Sequence, residues 1–305
     1  MGILLGLLTA LSWGSADFLA RFATHRTGTL RATLYMQILG FLLLTAALPF
    51  LGGWGHLADG SGFRPWAWGI VGGALNTFSC LTLYRSFEIG KMAVVAPLSA
   101  AYPVLTVILS IFTGEHLTPS RAAGIIGTLL GAVLVARGEA SSASHPHSSA
   151  SPTDPAHPHH PRNAALRRQG ILWAIASSVG MGLMFWLIGT RIVPTVGALP
   201  SVWLIRLVST ILTFLVVLVL RQSAAPPPPG ARRFVAGVAV LDTAAYSLNN
   251  RGMQLEQVSV VSVLASLYGA VTIAYVVIVL RESITRLQWC GIAAIFAGIF
   301  LISRQ

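Results

Sequence analysis

The sequence predicts an all-α integral membrane protein: ten transmembrane helices arranged as two inverted five-helix repeats. Three observations carry that expectation. The 305 residues are 54% hydrophobic and only 10% charged, whereas a soluble domain carries about 25% charged residues; the mean hydropathy is +0.73. Apolar runs near the roughly 20 residues that cross a bilayer recur along the whole chain. The two halves of the chain also share one register.

In order, the runs fall at about 2–20, 30–51, 66–84, 92–113 and 120–137, and again at about 169–190, 197–220, 231–250, 257–280 and 285–303. The first begins at Gly2 with no basic stretch before it, so it is expected to be a span rather than a secretory signal. Pro97 and Pro103 fall inside the fourth run and should bend it, freeing backbone carbonyls. Pro226 to Pro229 makes a stiff turn between the seventh and eighth runs. The chain therefore divides into a first five-helix repeat at 1–137, a disordered Ser/Pro/His-rich linker at 138–168 and a second repeat at 169–305. The linker histidines His145, His147, His157, His159 and His160 could bind a transition metal, but a solvated tether accounts for them more simply. No cofactor is expected.

The repeat is visible residue by residue. Gly2-Ile3-Leu4 returns as Gly170-Ile171-Leu172, Gly14 as Gly182, Leu75-Asn76-Thr77 as Leu241-Asp242-Thr243, and Tyr102 as Tyr268. Gly124 returns as Gly291 and Gly131 as Gly298, the offset staying between 166 and 168 residues over nearly the whole half. Five crossings leave the chain on the far side of the membrane, so the second copy enters inverted. Inverted repeats meeting around a midplane site recur among secondary transporters.

Leu11-Ser12-Trp13-Gly14-Ser15 resembles the Trp-Gly-Ser opening of the drug/metabolite transporter superfamily, EamA type. Tyr102-Pro103-Val104 leading to Gly114-Glu115-His116-Leu117-Thr118 and a Gly-rich fifth run is similar to that family's repeat ending. The ending returns as Arg281-Glu282-Ser283-Ile284-Thr285 before Gly291 and Gly298, with Arg281 in place of the usual Gly. The resemblance covers nearly all of the chain outside the linker. It implies a ten-helix carrier of small metabolites in the cell (plasma) membrane, often an exporter, and names no substrate.

Of the basic residues, fourteen cluster at the ends and loops on the linker side, and five on the side of the termini. Positive charge marks cytoplasmic loops, which would put the linker in the cytoplasm and both termini outside. The resemblance implies the reverse. The net charge of +11 is read as membrane anchoring rather than nucleic-acid binding.

Ionisable groups inside lipid cost several kcal/mol unless paired, so they are candidates by default. Asp17, Arg206 and Asp242 lie mid-run, and Gln37 and Asn76 are the repeat counterparts of Arg206 and Asp242. Asp17 shares a helix face with Trp13 and Arg21. It reads either as a proton-coupling or cation-binding carboxylate, or as a structural ion pair with Arg21. The related small multidrug resistance family uses an acidic residue in its first helix for coupling, a positional likeness only. Asp242, Tyr246 and Asn249 form a polar stripe, mirrored by Asn76, Cys80 and Tyr84; it is either a cavity wall or interhelical bonding. Arg206 could bind a substrate carboxylate or neutralise Asp242. Trp13, Tyr102, Trp186 and Tyr268 form an aromatic box or simply pack.

The expected function is thus a secondary active transporter of a small metabolite such as an amino acid or amine, with a proton as coupling ion, in the lipid bilayer as monomer or weak homodimer. An enzyme is not expected, because the chain has no HExxH, no GxSxG elbow and no close acidic dyad. An ATP pump is not expected either: the single lysine, Lys91, lacks a following Ser or Thr. A passive channel or a membrane receptor stays open as the alternative.

Overall fold

A computed structural model of the protein describes residues 1–57, 59–113, 118–144, 161–256, 258–282 and 284–303. Among them every regular element is helical. The first half folds as α1 (Gly2–Thr27), α2 (Thr29–Leu51), α3 (Arg64–Ile89), α4 (Met92–Ser99), α5 (Pro103–Phe112) and α6 (Pro119–Ser144). The second folds as α7 (Pro161–Leu187), α8 (Val193–Val196), α9 (Ala198–Val219), α10 (Pro229–Leu255), α11 (Val258–Ser266), α12 (Tyr268–Tyr275) and α13 (Arg286–Ser303). The linker histidines and the Gly114–Leu117 part of the family-like ending lie outside the described residues.

Six helical stretches are long and apolar enough to cross a membrane: Gly2–Thr27, Thr29–Leu51, Met92–Phe112, Arg168–Val196, Ala198–Val219 and Val260–Leu280. Two shorter apolar stretches, Ala122–Val135 and Arg286–Leu301, lie in α6 and α13. The two remaining runs are α3 and α10, with 26 and 27 residues. Length does not disqualify them. They carry Asn76 and Arg85, and Asp242, Asn249 and Asn250, which lower their apolarity. These helices are repeat counterparts, and they turn out to hold the site.

Outward faces are apolar. Leu4, Leu7 and Leu11 on α1, Ile126, Leu129 and Leu130 on α6, and Ile211, Phe214 and Leu218 on α9 are all exposed. In water such faces would be aggregation surfaces; in a bilayer they are the solvated side.

The helix pairing exchanges the halves. α1 packs along α10, and its counterpart α7 packs along α3, while α2 lies on α9 and α6 on α13. The α6–α13 contact is backbone-close: a Cβ on Gly131 would stand 2.6 Å from the Gly291 carbonyl oxygen, and one on Gly291 2.7 Å from that of Gly131. Small residues are what let helices approach this far in lipid, where no hydrophobic force drives them together.

The fourth run of each half is broken at its middle. Between α4 and α5 the Ala101 and Tyr102 amides reach only the Leu98 and Ser99 carbonyls, three residues back, and Pro103, without an N–H, opens α5. Between α11 and α12 the Leu267 amide likewise reaches Leu264, with no proline present. The two breaks pack on each other, a Cβ on Gly269 falling 2.6 Å from the Ala100 Cβ. Tyr102 and Tyr268, at the breaks, stack with centroids 6.4 Å apart.

The linker-side ends are tied across the halves. Arg21 on α1 pairs with Glu282 at 3.2 Å and donates to the Gly90 carbonyl at 3.2 Å. Glu282 also accepts from the Ala93 amide in the first turn of α4 at 3.2 Å, where a carboxylate complements the helix dipole. The structural partner expected for Arg21 was Asp17. The arginine instead pairs with Glu282, and the two side chains stay 20% and 18% exposed, so neither charge is fully desolvated.

Candidate transport cavity

At the seam of the halves, α1, α3, α7, α10 and α12 surround a small buried cavity of about 30 Å³. Room for about two water molecules is all this volume provides. The site is built on the ion pair between Arg206 of α9 and Asp242 of α10. Asp242 receives the Arg206 guanidinium on Oδ2 and the Trp13 indole N–H on Oδ1 at 2.9 Å. Arg206 Nη1 donates to Gln37 Oε1 at 2.7 Å, and its guanidinium lies over the Tyr246 ring, 5.2 Å from the centroid. Both buried charges are therefore compensated, which membrane depth requires. Arg206 fits because α2 has Gly40 there: a Cβ would stand 3.1 Å from Arg206 Nε and 2.6 Å from Thr243 Oγ1.

A second chain of bonds runs from Tyr246, whose hydroxyl donates to Asn76 Oδ1 at 2.8 Å, through Asn76 Nδ2 to Ser209 Oγ at 2.9 Å. Ser209 in turn donates to the Gly73 carbonyl at 3.0 Å. The polar core thus joins residues of α1, α2 and α3 to residues of α9 and α10.

Trp13, Asp17, Asn76, Tyr84, Asp242 and Tyr246 line the cavity. Arg206 sits behind Asp242 and holds it, and Gln37 in turn accepts from Arg206. Tyr102 lies behind Tyr268, its hydroxyl donating to the Ser262 carbonyl at 2.9 Å and its ring against Phe185 at 4.9 Å. Asn249 is buried away from the cavity, donating to Asn250 Oδ1 at 3.3 Å. Trp186 is also elsewhere, near Thr113.

Inversion explains the displacement of Asn249. Residues related by the repeat lie at opposite depths. At the 166-residue offset of Asn76 and Asp242, Asn249 matches Leu83 rather than the Tyr84 of the stripe, and Asn250 matches Tyr84; Leu83 and Tyr84 line the cavity, while Asn249 and Asn250 do not. The cavity takes in one end of the stripe, while the other end is packed among helices.

Sequence reasoning missed Met181, Met184 and Phe185 of α7 as cavity residues. A signal was available: Met181 and Phe185 are the repeat counterparts of Trp13 and Asp17. Tyr268, named only as an aromatic, also lines the site. Asp17 is 6% exposed, and its Oδ2 is buried without a hydrogen-bond partner, as is the Tyr268 hydroxyl. No group of three or more His, Cys, Asp or Glu able to hold a metal ion occurs among the described residues.

A two-fold helical bundle with a compensated polar cavity at its seam defines a membrane carrier class. The EamA-like transporter family model matches residues 1–137 and again 168–304, and the chain belongs to that family. It is thus a multi-pass membrane protein of a family that transports small solutes. The chain is similar to an uncharacterized protein of Methanocaldococcus jannaschii, 31% identical over 134 residues, which are 44% of this chain and 94% of that protein. A single half here therefore matches nearly all of that relative. A crystal structure of another protein superposes with a TM-score of 0.68 at 19% identity, over 98% of this chain and 95% of that one; it shares the fold.

Proposed function

We propose that this protein is a secondary active transporter of the plasma membrane that moves a small metabolite by alternating access around the cavity. The supporting observation is a partly polar cavity lined jointly by residues of both inverted halves. Exchanging the conformations of the two halves would carry the same residues toward the other side, because the repeats are equivalent in register. Asp17 is the coupling group: its carboxylate is buried, faces the cavity and has no hydrogen bond on Oδ2. Net flux runs outward, as the family resemblance implies, with Asp17 exchanging protons against substrate.

Counterflow in proteoliposomes, with a panel of radiolabelled amino acids and amines, tests the reading. A pH gradient is expected to drive accumulation above equilibrium for at least one of them. In Asp17→Asn, accumulation is expected to vanish while exchange persists, since an amide cannot release a proton. A solute that only equilibrates under every gradient would establish a passive channel instead.

A further inference from the structure

We propose that a second cavity, an outward-facing crevice between α2, α3 and α9, binds an anionic glycerophospholipid such as phosphatidylglycerol. Its phosphate is held at Arg31 and Arg85, and its chains lie against Phe78, Leu81 and Trp173.

The crevice measures about 700 Å³, inside the range of about 300–1,000 Å³ usual for small-molecule sites. It is amphipathic along its length. Its polar end gathers Thr29 and Arg31 at the start of α2, Arg85 and Glu88 near the end of α3, and Gln222 just beyond α9. Its apolar end is formed by Phe78, Leu81, Trp173, Val216 and Leu220. Phe78 and Arg85 lie two turns apart on one face of α3, about 10 Å along the axis. Phe78, Trp173 and Leu220 are 48%, 40% and 56% exposed, so this end opens toward lipid. The opposite face of α3 carries Asn76, Cys80 and Tyr84, which line the transport cavity. The two sites share a helix as their wall and no lining residue.

The basic end is held in place. Arginines at helix ends ordinarily snorkel to water on mobile stems. Here the Ala225 and Pro226 carbonyls fix Arg31 Nε and Nη2 at 3.0 and 2.7 Å, which leaves Nη1 to donate. Glu88 Oε2 accepts from Arg85 Nη1 at 3.0 Å, which leaves Nε and Nη2. The same carboxylate oxygen accepts from the Thr29 amide at 3.3 Å and the Thr29 hydroxyl at 2.5 Å. Two guanidiniums against one acid leave one positive charge in excess at this end. Guanidinium N–H groups match phosphate oxygens in geometry and charge, and basic pockets between spanning helices suit anionic headgroups. A zwitterionic headgroup would leave the excess charge uncompensated.

The repeat does not by itself produce this arrangement. α2 and α9 each begin directly after a glycine, Gly28 and Gly197, so Pro200 stands where Arg31 does. Arg85 and Glu88 return as Arg251 and Gln254, and Phe78 returns as Ala244. The second half thus keeps one of the three charges and lacks the Phe78 ring.

The test uses the full chain, purified and delipidated in detergent. Native mass spectrometry identifies the first lipid bound from equimolar mixtures of lipids with the same chains. Phosphatidylglycerol is expected to be favoured at least about tenfold over phosphatidylcholine and phosphatidylethanolamine, a difference of about 1.4 kcal/mol. Diacylglycerol, without the phosphate, should rank with those two, and glycerol phosphate, without chains, should not bind. Arg31→Gln combined with Arg85→Gln is expected to abolish the preference. Arg232→Gln combined with Arg233→Gln, at the start of α10 on the same side, is expected to keep it. No preference in the wild type overturns the proposal, and so does an unchanged preference in the folded Arg31/Arg85 variant. Loss of the preference in the Arg232/Arg233 control also overturns it, since any basic rim would then serve. Glycerol phosphate bound as tightly as the lipid overturns it in favour of a site for free phosphate. If the Arg31/Arg85 variant does not fold, Leu81→Trp fills the apolar end without touching a charge. Phosphatidylglycerol bound to that protein as to the wild type overturns the proposal.

Discussion

Gln37 and Arg206 occupy the same position in the two halves of the chain and bond directly to each other, Arg206 Nη1 donating to Gln37 Oε1 at 2.7 Å. A residue that meets its own repeat counterpart lies near the axis relating the halves. The pseudo-symmetric axis of this protein is therefore polar, and one half contributes the charge while the other contributes its acceptor. Asp242 then takes the remaining face of the guanidinium.

Breaking that pair is expected to cost more than deleting it. Arg206→Gln or Asp242→Asn alone strands a buried charge, at about 3–5 kcal/mol, whereas the double variant should recover much of the loss. Chemical-denaturant unfolding of the four proteins of the cycle in detergent measures it. Strictly additive losses would show that the two side chains act independently.

Tyr246→Phe removes the hydroxyl that Asn76 Oδ1 accepts from. Interhelical hydrogen bonds in membranes contribute on average about 0.6 kcal/mol, so the stability loss should be small. The affinity for the transported solute should change more, because Asn76 and Tyr246 both line the cavity. Unfolding midpoint and half-saturation for counterflow, measured on one preparation, separate the two effects.

Gly269→Ala places a methyl group 2.6 Å from the Ala100 Cβ, at the contact between the two broken helices. Overpacking of this kind costs about 1–3 kcal/mol. Ala100→Gly in the same chain should restore the midpoint, since it removes the opposing methyl. Failure of the rescue would mean that backbone freedom, not space, is what Gly269 provides.

Arg281 sits in the left-handed region at φ 52°, ψ 33°, in the place where the family resemblance expects glycine. A non-glycine residue there is strained by about 1–2 kcal/mol. Arg281→Gly is expected to raise the unfolding midpoint by part of that amount, the remainder being lost to the greater freedom of glycine in the unfolded chain. An unchanged or lowered midpoint would locate a compensating contact of the arginine.

Glu282→Gln weakens the tie between Arg21, the Ala93 amide and the second half. Cys80 lines the cavity, and the other cysteine, Cys290, is exposed on α13. In a Cys290→Ser background, labelling of Cys80 by a membrane-impermeant maleimide from the linker side should therefore accelerate when Glu282 is neutralised. Labelling at the wild-type rate would show that the Arg21–Glu282 pair does not limit access to Cys80 from this side.

Some of this organisation was written in local residue patterns. Composition and the ten apolar runs determined the membrane class, because lipid admits closed helices and leaves no backbone group unpaired. The shared register, from Gly2 against Gly170 to Gly131 against Gly298, determined the two halves. The rarity of charge at membrane depth marked Asp17, Arg206 and Asp242. Tertiary structure alone decided which polar residues share a cavity. Arg206 and Gln37 sit behind it, Asn249 packs away from it, and Met181, Met184 and Phe185 arrive from α7. The partner of Arg21 was likewise a tertiary outcome, since Glu282 lies far along the chain while Asp17 is one turn away. The physical reason is the same in each case. Helical spacing fixes which side chains share a face, but depth and packing between helices fix which faces meet, and those depend on contacts between the halves that no local pattern encodes.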